Sequence, residues 1–140
     1  MKEGMVGIKG ELNGKFPMTD LGEMEKFLRI RVERDRDKGT LKISQRPYIN
    51  VILAQFHMQD ANPILTPLSK KVKLMVPIES TNGPTIDAPY AKAISSLMYA
   101  ALGTQPNLAF AAQHLCQFTT LYRPKHWIAV KHVLWYLKGT

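Results

Sequence analysis

The sequence predicts an α+β fold, in which a small antiparallel β-hairpin or sheet is followed by a mostly helical bundle. Segments on either side of Asp37-Lys38-Gly39 alternate apolar and polar residues, which is typical of a hairpin around a turn. Residues 90–140 instead repeat apolar residues at helical spacing in three successive stripes. The chain has 140 residues, a length that suits one domain or a piece of a larger protein.

A short helix and a hairpin are predicted before residue 47. Residues 2–15 have a weak amphipathic pattern, interrupted by glycines that disfavour a helix. The apolar side of this helix would contain Met5, Ile8 and Leu12. Residues 25–33 and 41–44 carry β-favouring and alternating side chains, so they are expected to pair as a hairpin with one apolar and one charged face.

Helices are predicted for most of the remaining chain. Pro47 suits the first turn of a helix, and residues 62–89, with five prolines, are expected to form a long loop. The expected buried stripes are Ile49, Ile52, Leu53 and Phe56 in the first of these helices; Ile94, Leu97, Met98 and Ala101; Leu108, Ala111, Ala112, Leu115 and Phe118; and Trp127, Val130, Leu134 and Leu137.

Positive charge dominates and is unevenly distributed. The chain has 19 Lys+Arg against 11 Asp+Glu, a formal net charge of +8. Residues 88–140 contain no acid, and their Lys and Arg residues are Lys92, Arg123, Lys125, Lys131 and Lys138. One interpretation is a surface turned toward phosphates. The other is a piece of a longer chain whose acidic complement lies elsewhere.

The sequence also disfavours several classes of protein and of site. The single cysteine excludes an intramolecular disulfide framework, and no apolar run approaches the roughly 20 residues of a spanning helix. The first residues lack the apolar core of a signal peptide, so we expect an intracellular protein with no membrane partner. The histidines and the cysteine lack the spacing of a zinc site, so no metal site is expected.

Catalytic carboxylates are not recognisable either. No two aspartates are adjacent, as a pair that holds two Mg²⁺ ions would be, and Asp35 and Asp37 are interpreted as solvated turn residues. Cys116 is predicted to be a buried, unreactive thiol. Trp127 is open to two interpretations, as a core residue or as part of a nucleic-acid groove that stacks on bases.

Six phrases, in order along the chain, resemble those of copia-type retrotransposon reverse transcriptases. The residues are Phe16-Pro17-Met18-Thr19-Asp20-Leu21-Gly22-Glu23 with Phe27-Leu28-Arg29-Ile30; Ile43-Ser44-Gln45 with Tyr48-Ile49; Phe56-His57-Met58 with Thr66-Pro67-Leu68; Tyr90 with Ser96-Leu97-Met98-Tyr99; Thr104-Gln105-Pro106-Asn107; and His126-Trp127 with Tyr136-Leu137-Lys138-Gly139-Thr140. The family's phrases are F-x-M-x-D-L-G-E…F-L-G-I, L-S-Q-x-x-Y-I, F-x-M…S-T-P-L, Y-R-x-A-[VI]-G-S-L-M-Y, T-R-P-D and H-W-x-A-x-K-R-[VI]-L-R-Y-L-K-G-T. The resemblance covers the chain from about residue 8 to residue 140.

This resemblance implies a position within the Pol polyprotein. In the family, the catalytic Y-x-D-D motif lies upstream of these phrases, and the RNase H domain follows K-G-T. We therefore expect the end of the palm with a primer-grip-like hairpin at residues 1–46, a helix at 47–61, a Pro-rich loop at 62–89, and thumb and connection helices at 90–140. No catalytic residue and no cofactor is expected in this piece, although the parent family uses Mg²⁺.

The resemblance also implies nucleic-acid-binding residues. The hairpin resembles a primer grip, and the helix at residues 90–102 resembles a thumb helix that follows the minor groove. The implied set is Leu28, Arg29, Ile30, Arg31, Arg34 and Arg36 on the hairpin, Ala91, Ser95 and Tyr99 on one helix face, and Lys131 and Lys138 near the end. The expected partners are an RNA–DNA or DNA template–primer and the remaining Pol domains. The alternatives are a non-catalytic interaction or scaffold module, or an inert retroelement remnant.

The chain departs from the family's phrases where contact with nucleic acid is expected. Arg29 and Ser95 stand where the family has glycines, which would allow a closer approach of the backbone. His132 and Trp135 stand where the family has two cations. Gln105 and Asn107 replace the Arg and Asp of T-R-P-D.

Overall fold

The fold is described from a computed structural model, which describes residues 2–69, 74 and 86–140. Its elements are helix α1 (Lys2–Lys15), strands β1 (Lys26–Phe27), β2 (Ile30–Asp35) and β3 (Thr40–Ser44), and helices α2 (Arg46–Gln55), α3 (Tyr90–Gly103), α4 (Ala109–Cys116) and α5 (Pro124–Lys138). A short 3₁₀ turn, Pro106–Leu108, precedes α4. The expected α+β fold is confirmed, with an antiparallel sheet followed by a helical bundle.

The strands form an antiparallel sheet in the order β1-β2-β3. In the β2–β3 pair, Val32 lies opposite Ile43 and Arg34 lies opposite Leu41. Because side chains alternate between the faces of a strand, Val32, Ile43 and Leu41 share one face with Arg34, whereas Arg31, Glu33 and Lys42 lie on the other. The predicted hairpin is therefore confirmed, although the face expected to be apolar also carries Arg34.

The turn between β2 and β3 is organised by Asp35. One oxygen of its carboxylate accepts hydrogen bonds from the amides of Asp37 at 3.1 Å and Lys38 at 3.0 Å. Gly39 then takes a positive φ of 64°, which glycine adopts without a steric penalty. The turn predicted at Asp37-Lys38-Gly39 forms for this reason.

A second turn, between β1 and β2, was not expected from the sequence. Phe27 pairs with Ile30, so Leu28 and Arg29 form a two-residue connection. Their φ angles are 46° and 64°, both positive, as in a type I′ turn. Such turns favour asparagine and glycine, and neither residue occurs here, so composition did not reveal the break in residues 25–33.

The hydrophobic core lies among helices α2 to α5. Of the stripes predicted from helical spacing, all members are buried except Met98 and Trp127, which are partly buried against the core. Trp127 packs near Phe56, with ring centroids 6.2 Å apart, and near Tyr90, at 6.5 Å. Its interpretation as a packing residue is therefore supported.

Helix α2 ends in a Schellman motif that accounts for the phrase Phe56-His57-Met58. The amide of Met58 donates to the Leu53 carbonyl at 2.8 Å, and the amide of His57 donates to the Ala54 carbonyl at 3.1 Å. His57 has a φ of 56°, the left-handed conformation that this motif requires.

The N-terminal part contributes little to the core. Helix α1 forms over the predicted residues, but Met5, Ile8 and Leu12 are 60%, 56% and 42% exposed. The expected apolar side of α1 is therefore not covered by the described part of the chain. In the sheet, Val32 is buried against α2, whereas Leu41 and Ile43 remain exposed.

A further expectation concerns Cys116. Cys116 is the last residue of α4 and is exposed, so the prediction of a buried thiol was wrong. Leu115 and Phe118 complete the buried stripe at this end of α4, and Cys116, which lies between them in the sequence, is outside that stripe.

Within the predicted loop, residues 62–69, 74 and 86–89 contain no helix or strand, and residues 70–73 and 75–85 lie outside the described residues.

Candidate nucleic-acid interface

The tip of the β1–β2 hairpin contacts helix α3. The Tyr99 hydroxyl donates a hydrogen bond to the carbonyl of Leu28. Tyr48, on α2, packs edge-on against Tyr99 with ring centroids 4.9 Å apart. The guanidinium carbon of Arg29 lies 5.6 Å from the centroid of the Tyr48 ring, within cation–π range. Leu28, Arg29 and Tyr99, which the resemblance assigned to separate elements, are thus brought together.

The other hairpin arginines differ in how much of their charge is available. Arg31 forms an ion pair with Glu33 at 3.1 Å, and Arg36 forms one with Glu23 at 2.8 Å. Arg34 is exposed and pairs with no acid among the described residues. Ile30 is half-buried and lies on the same face as Val32. Arg29 and Arg34 therefore present the least compensated charge of the predicted hairpin set.

The predicted groove-facing residues lie on the outer face of α3. Ala91 and Ser95 are exposed, and Tyr99 is half-buried under the hairpin tip. The Ser95 hydroxyl donates to the Ala91 carbonyl of its own helix at 2.9 Å. Apart from Tyr99, the predicted residues on α3 are therefore small, exposed side chains.

Lys131 and Lys138 lie away from this cluster. Both are on α5 and are half-buried, seven residues apart and so on one side of the helix. In the described part of the chain, no hydrogen bond or ring contact joins either lysine to the hairpin tip. The structure therefore does not unite the whole predicted set.

The phrase that contains Gln45 meets the phrase that begins at Thr104. Gln45 is buried, and its side-chain oxygen accepts a hydrogen bond from the Thr104 hydroxyl at 2.9 Å. A Cβ on Gly103 would come within 2.4–2.5 Å of the Gln45 side chain, so any larger residue there requires the buried Gln45 amide group to move. Asn107 donates a hydrogen bond to the Tyr136 hydroxyl, which joins that phrase to the last one. The residues of these three phrases therefore contact one another inside the fold.

His126 also has a structural role. Its Nδ1 atom accepts a hydrogen bond from the Arg123 amide at 2.9 Å, which caps the start of α5. Its ring is fully buried and stacks on Phe118 with centroids 4.3 Å apart. Over residues 2–69, 74 and 86–140, no group of three or more His, Cys, Asp or Glu side chains could hold a metal ion.

Tyr48 is the member of this cluster that sequence reasoning did not assign. Its ring lies between Arg29 and Tyr99 and is half-buried. The available signal was its place in the phrase ending Tyr48-Ile49. Ile49 is the buried position of that helix face, which leaves Tyr48 at the edge, beside the hairpin.

No helix in the described parts of the chain has the length and apolar character needed to cross a membrane. Residues 2–70, just under half of the chain, match a family model described as reverse transcriptase (RNA-dependent DNA polymerase). No solved structure matches the chain.

Similar proteins include Pol polyproteins of plant transposons. The chain is 37% identical over 137 residues to the retrovirus-related Pol polyprotein from transposon TNT 1-94 of Nicotiana tabacum, which covers 95% of this chain and 10% of that protein. It is 35% identical over 129 residues to the Pol polyprotein from transposon RE1 of Arabidopsis thaliana, in an alignment that covers 92% of this chain and 8% of that protein. An uncharacterized mitochondrial protein of Arabidopsis thaliana is 30% identical over 132 residues, in an alignment that covers 93% of this chain and 52% of that protein.

The alignments run through nearly the whole chain, whereas the chain spans about a tenth of the length of these Pol polyproteins. The matched family model covers α1, the sheet and α2, and the phrases beyond it pack into the same helical core. The chain therefore belongs to the reverse transcriptase region of the Pol polyproteins of copia-type retrotransposons.

Proposed function

We propose that this chain binds a template–primer duplex through its phosphates and performs no polymerase chemistry by itself. The observation that carries the proposal is the contact between the hairpin tip and α3. This contact sets the guanidinium of Arg29 over the Tyr48 ring, which packs against Tyr99, the last residue of the predicted groove-facing set on α3. The surface resembles the primer grip and thumb expected from the family, and it needs no cofactor to bind phosphates.

The charge distribution supports binding to a polyanion. The chain carries a net charge of +8, and residues 88–140 contain no acid to oppose their lysines and arginines. Each phosphate neutralised by a cation releases counterions, which makes the affinity fall as salt rises. The ligand that we propose first is an RNA–DNA hybrid, and the second is a DNA duplex.

Binding to a labelled RNA–DNA hybrid across a salt series tests this proposal. We expect affinity to fall steeply with salt, and Arg29→Ala to reduce the slope of log affinity against log salt by about 0.9. Arg31→Ala adds a smaller reduction, because Glu33 already occupies the guanidinium. The matched control is Lys9→Ala, which removes an exposed cation of α1 that is ion-paired with Asp20 and lies outside the predicted set.

The result that would overturn the proposal is a folded chain with no affinity for the hybrid at low salt. In that case the basic surface has no role in binding, and the chain is best described as an inert remnant. An affinity that does not depend on salt would equally contradict phosphate contacts.

A second candidate function is docking on other parts of a Pol polyprotein without contact to nucleic acid. The observation that favours it is the exposed apolar surface of α1 and the sheet, including Ile8, Phe16, Phe27 and Ile43, each at least half exposed. Hydrophobic docking is much less sensitive to salt than phosphate binding. We expect an apolar dye to bind the isolated chain, and added upstream Pol segments to displace it. A cooperative unfolding transition with no dye binding contradicts this candidate.

A further inference from the structure

Tyr48 lies at the centre of the hairpin–α3 contact although nothing in the family resemblance assigns it a role. One neighbour, Tyr99, touches its ring edge-to-face at 4.9 Å. The other, Arg29, places its guanidinium carbon 5.6 Å from the ring centroid. Because Tyr48 is half-buried on α2, the ring is held by the helical core and offers a fixed surface to the arginine.

Arg29 is poorly constrained by its own backbone. It occupies an exposed two-residue turn with a φ of 64°, which is unfavourable for any residue with a Cβ. A long side chain at such a tip would sample many rotamers, and ordering it on a ligand would reduce affinity. Contact with a fixed aromatic ring limits that sampling before any ligand binds.

A cation–π contact leaves the N–H donors of the guanidinium available. A guanidinium that rests on an aromatic ring uses its flat face, whereas its N–H groups point outward in the plane of the group. Those N–H groups are the ones that bind phosphate in a bidentate manner. The ring of Tyr48 can therefore orient Arg29 without competing for its hydrogen bonds.

We infer that Tyr48 is a positioning residue for nucleic-acid binding, whose ring orders the Arg29 guanidinium at the edge of the α3 outer face so that it binds a backbone phosphate of the duplex. This inference rests on the proposed function. In this inference Arg29 contacts the phosphate. Tyr48 orients Arg29 through its ring and not through its hydroxyl.

The test compares Tyr48→Leu with Tyr48→Phe, which keeps the ring. The first readout needs no nucleic acid: the NMR signal of the Arg29 side-chain Nε–H group. We expect a ring-current shift of this signal in the wild type and in Tyr48→Phe, and its loss in Tyr48→Leu. If the signal is the same in all three proteins, the ring does not hold Arg29, and the inference is wrong.

The second readout is affinity for the RNA–DNA hybrid. Tyr48→Leu should weaken binding about threefold, in the range of an exposed cation–π contact, and Tyr48→Phe should restore it. In an Arg29→Ala background, Tyr48→Leu should have no further effect. If the wild type binds the hybrid and Tyr48→Leu binds it equally well, the inference is wrong, whereas the proposed function is not contradicted. A wild type that does not bind overturns both.

If Tyr48→Leu does not fold, Tyr48→Met takes its place in both readouts, and Arg29→Lys adds a supporting comparison. Lysine keeps the charge but has no planar group to stack on Tyr48. We expect the salt slope to stay the same while affinity falls. Wild-type affinity in Arg29→Lys would contradict a role for stacking.

Discussion

The Tyr99 hydroxyl donates a hydrogen bond to the carbonyl of Leu28, which joins residues 71 positions apart in the sequence. This bond attaches the tip of an otherwise exposed hairpin to a helix whose opposite side is in the core. The contact places the hairpin tip against Tyr99, one of the residues predicted to face nucleic acid on α3.

Removing this bond should loosen the hairpin from the bundle. Tyr99→Phe keeps the ring against Tyr48 but removes the donor, so we expect a loss of about 1 kcal/mol in the free energy of unfolding. Hydrogen exchange should become faster at the amides of β2. Ser95→Ala is the control, because its hydroxyl bonds only within α3. Unchanged exchange in β2 would show that the bond does not anchor the hairpin.

Glycine should stabilise the protein more at position 57 than at position 29. Both residues have a positive φ, and His57 is exposed at the end of α2, so His57→Gly should raise the free energy of unfolding by about 1 kcal/mol. Arg29→Gly gains the same relief but loses the contact with Tyr48, worth about 0.5–1 kcal/mol. Urea unfolding of both variants gives the comparison.

The same pair provides a control on function. His57→Gly should bind the hybrid like the wild type, whereas Arg29→Gly should bind it more weakly. In a Tyr48→Leu background the gain from Arg29→Gly should approach that of His57→Gly. Equal gains at the two positions in the wild-type background would mean that Tyr48 contributes nothing to the turn.

A side chain at position 103 should destabilise the protein by displacing the buried Gln45 amide group. A Cβ at residue 103 would lie within 2.4–2.5 Å of the buried Gln45 amide group, so we expect Gly103→Ala to cost about 2 kcal/mol in thermal or urea unfolding. Adding Gln45→Ala removes the obstructing atoms and should recover part of that loss. Gly7→Ala is the matched control, because nothing lies within 4 Å of its Cβ, and it should stabilise α1. A Gly103→Ala variant as stable as the wild type would contradict the close packing.

The β2–β3 turn should weaken in acid. Hydrogen bonds from the Lys38 amide and side chain, together with the Asp37 amide, hold the pKa of Asp35 below its ordinary value near 3.8. A lowered pKa means that the carboxylate stabilises the folded turn above pH 3.8, and that this contribution is lost as the pH falls through the lower, folded-state pKa. The amide shifts of Asp37 and Lys38 should follow this titration. In Asp35→Asn the titration should be absent; an identical titration there would exclude Asp35 as its source.

Much of the fold follows from local patterns that the sequence displays directly. The buried faces of α2 to α5 were predictable because each helix repeats its apolar residues every three or four positions, and the core collects those faces. The β2–β3 hairpin was predictable because Asp37-Lys38-Gly39 contains the residues its turn requires. Family membership was predictable because the phrases keep their order along the chain.

The site depended on contacts between residues that are far apart in the sequence. Leu28 and Arg29 carry no turn signal, and their positive φ angles depend on strand pairing around them and on Tyr99 beyond. Periodicity alone could not show that Met5, Ile8 and Leu12 stay exposed, or that Cys116 does, because a pattern predicts a face but does not supply the surface that covers it. The helices, the main hairpin and the family could thus be predicted, because all of them rest on local or ordered patterns. Which side chains meet at the candidate interface could not, because the contacts among Arg29, Tyr48 and Tyr99 depend on how the hairpin packs on the bundle.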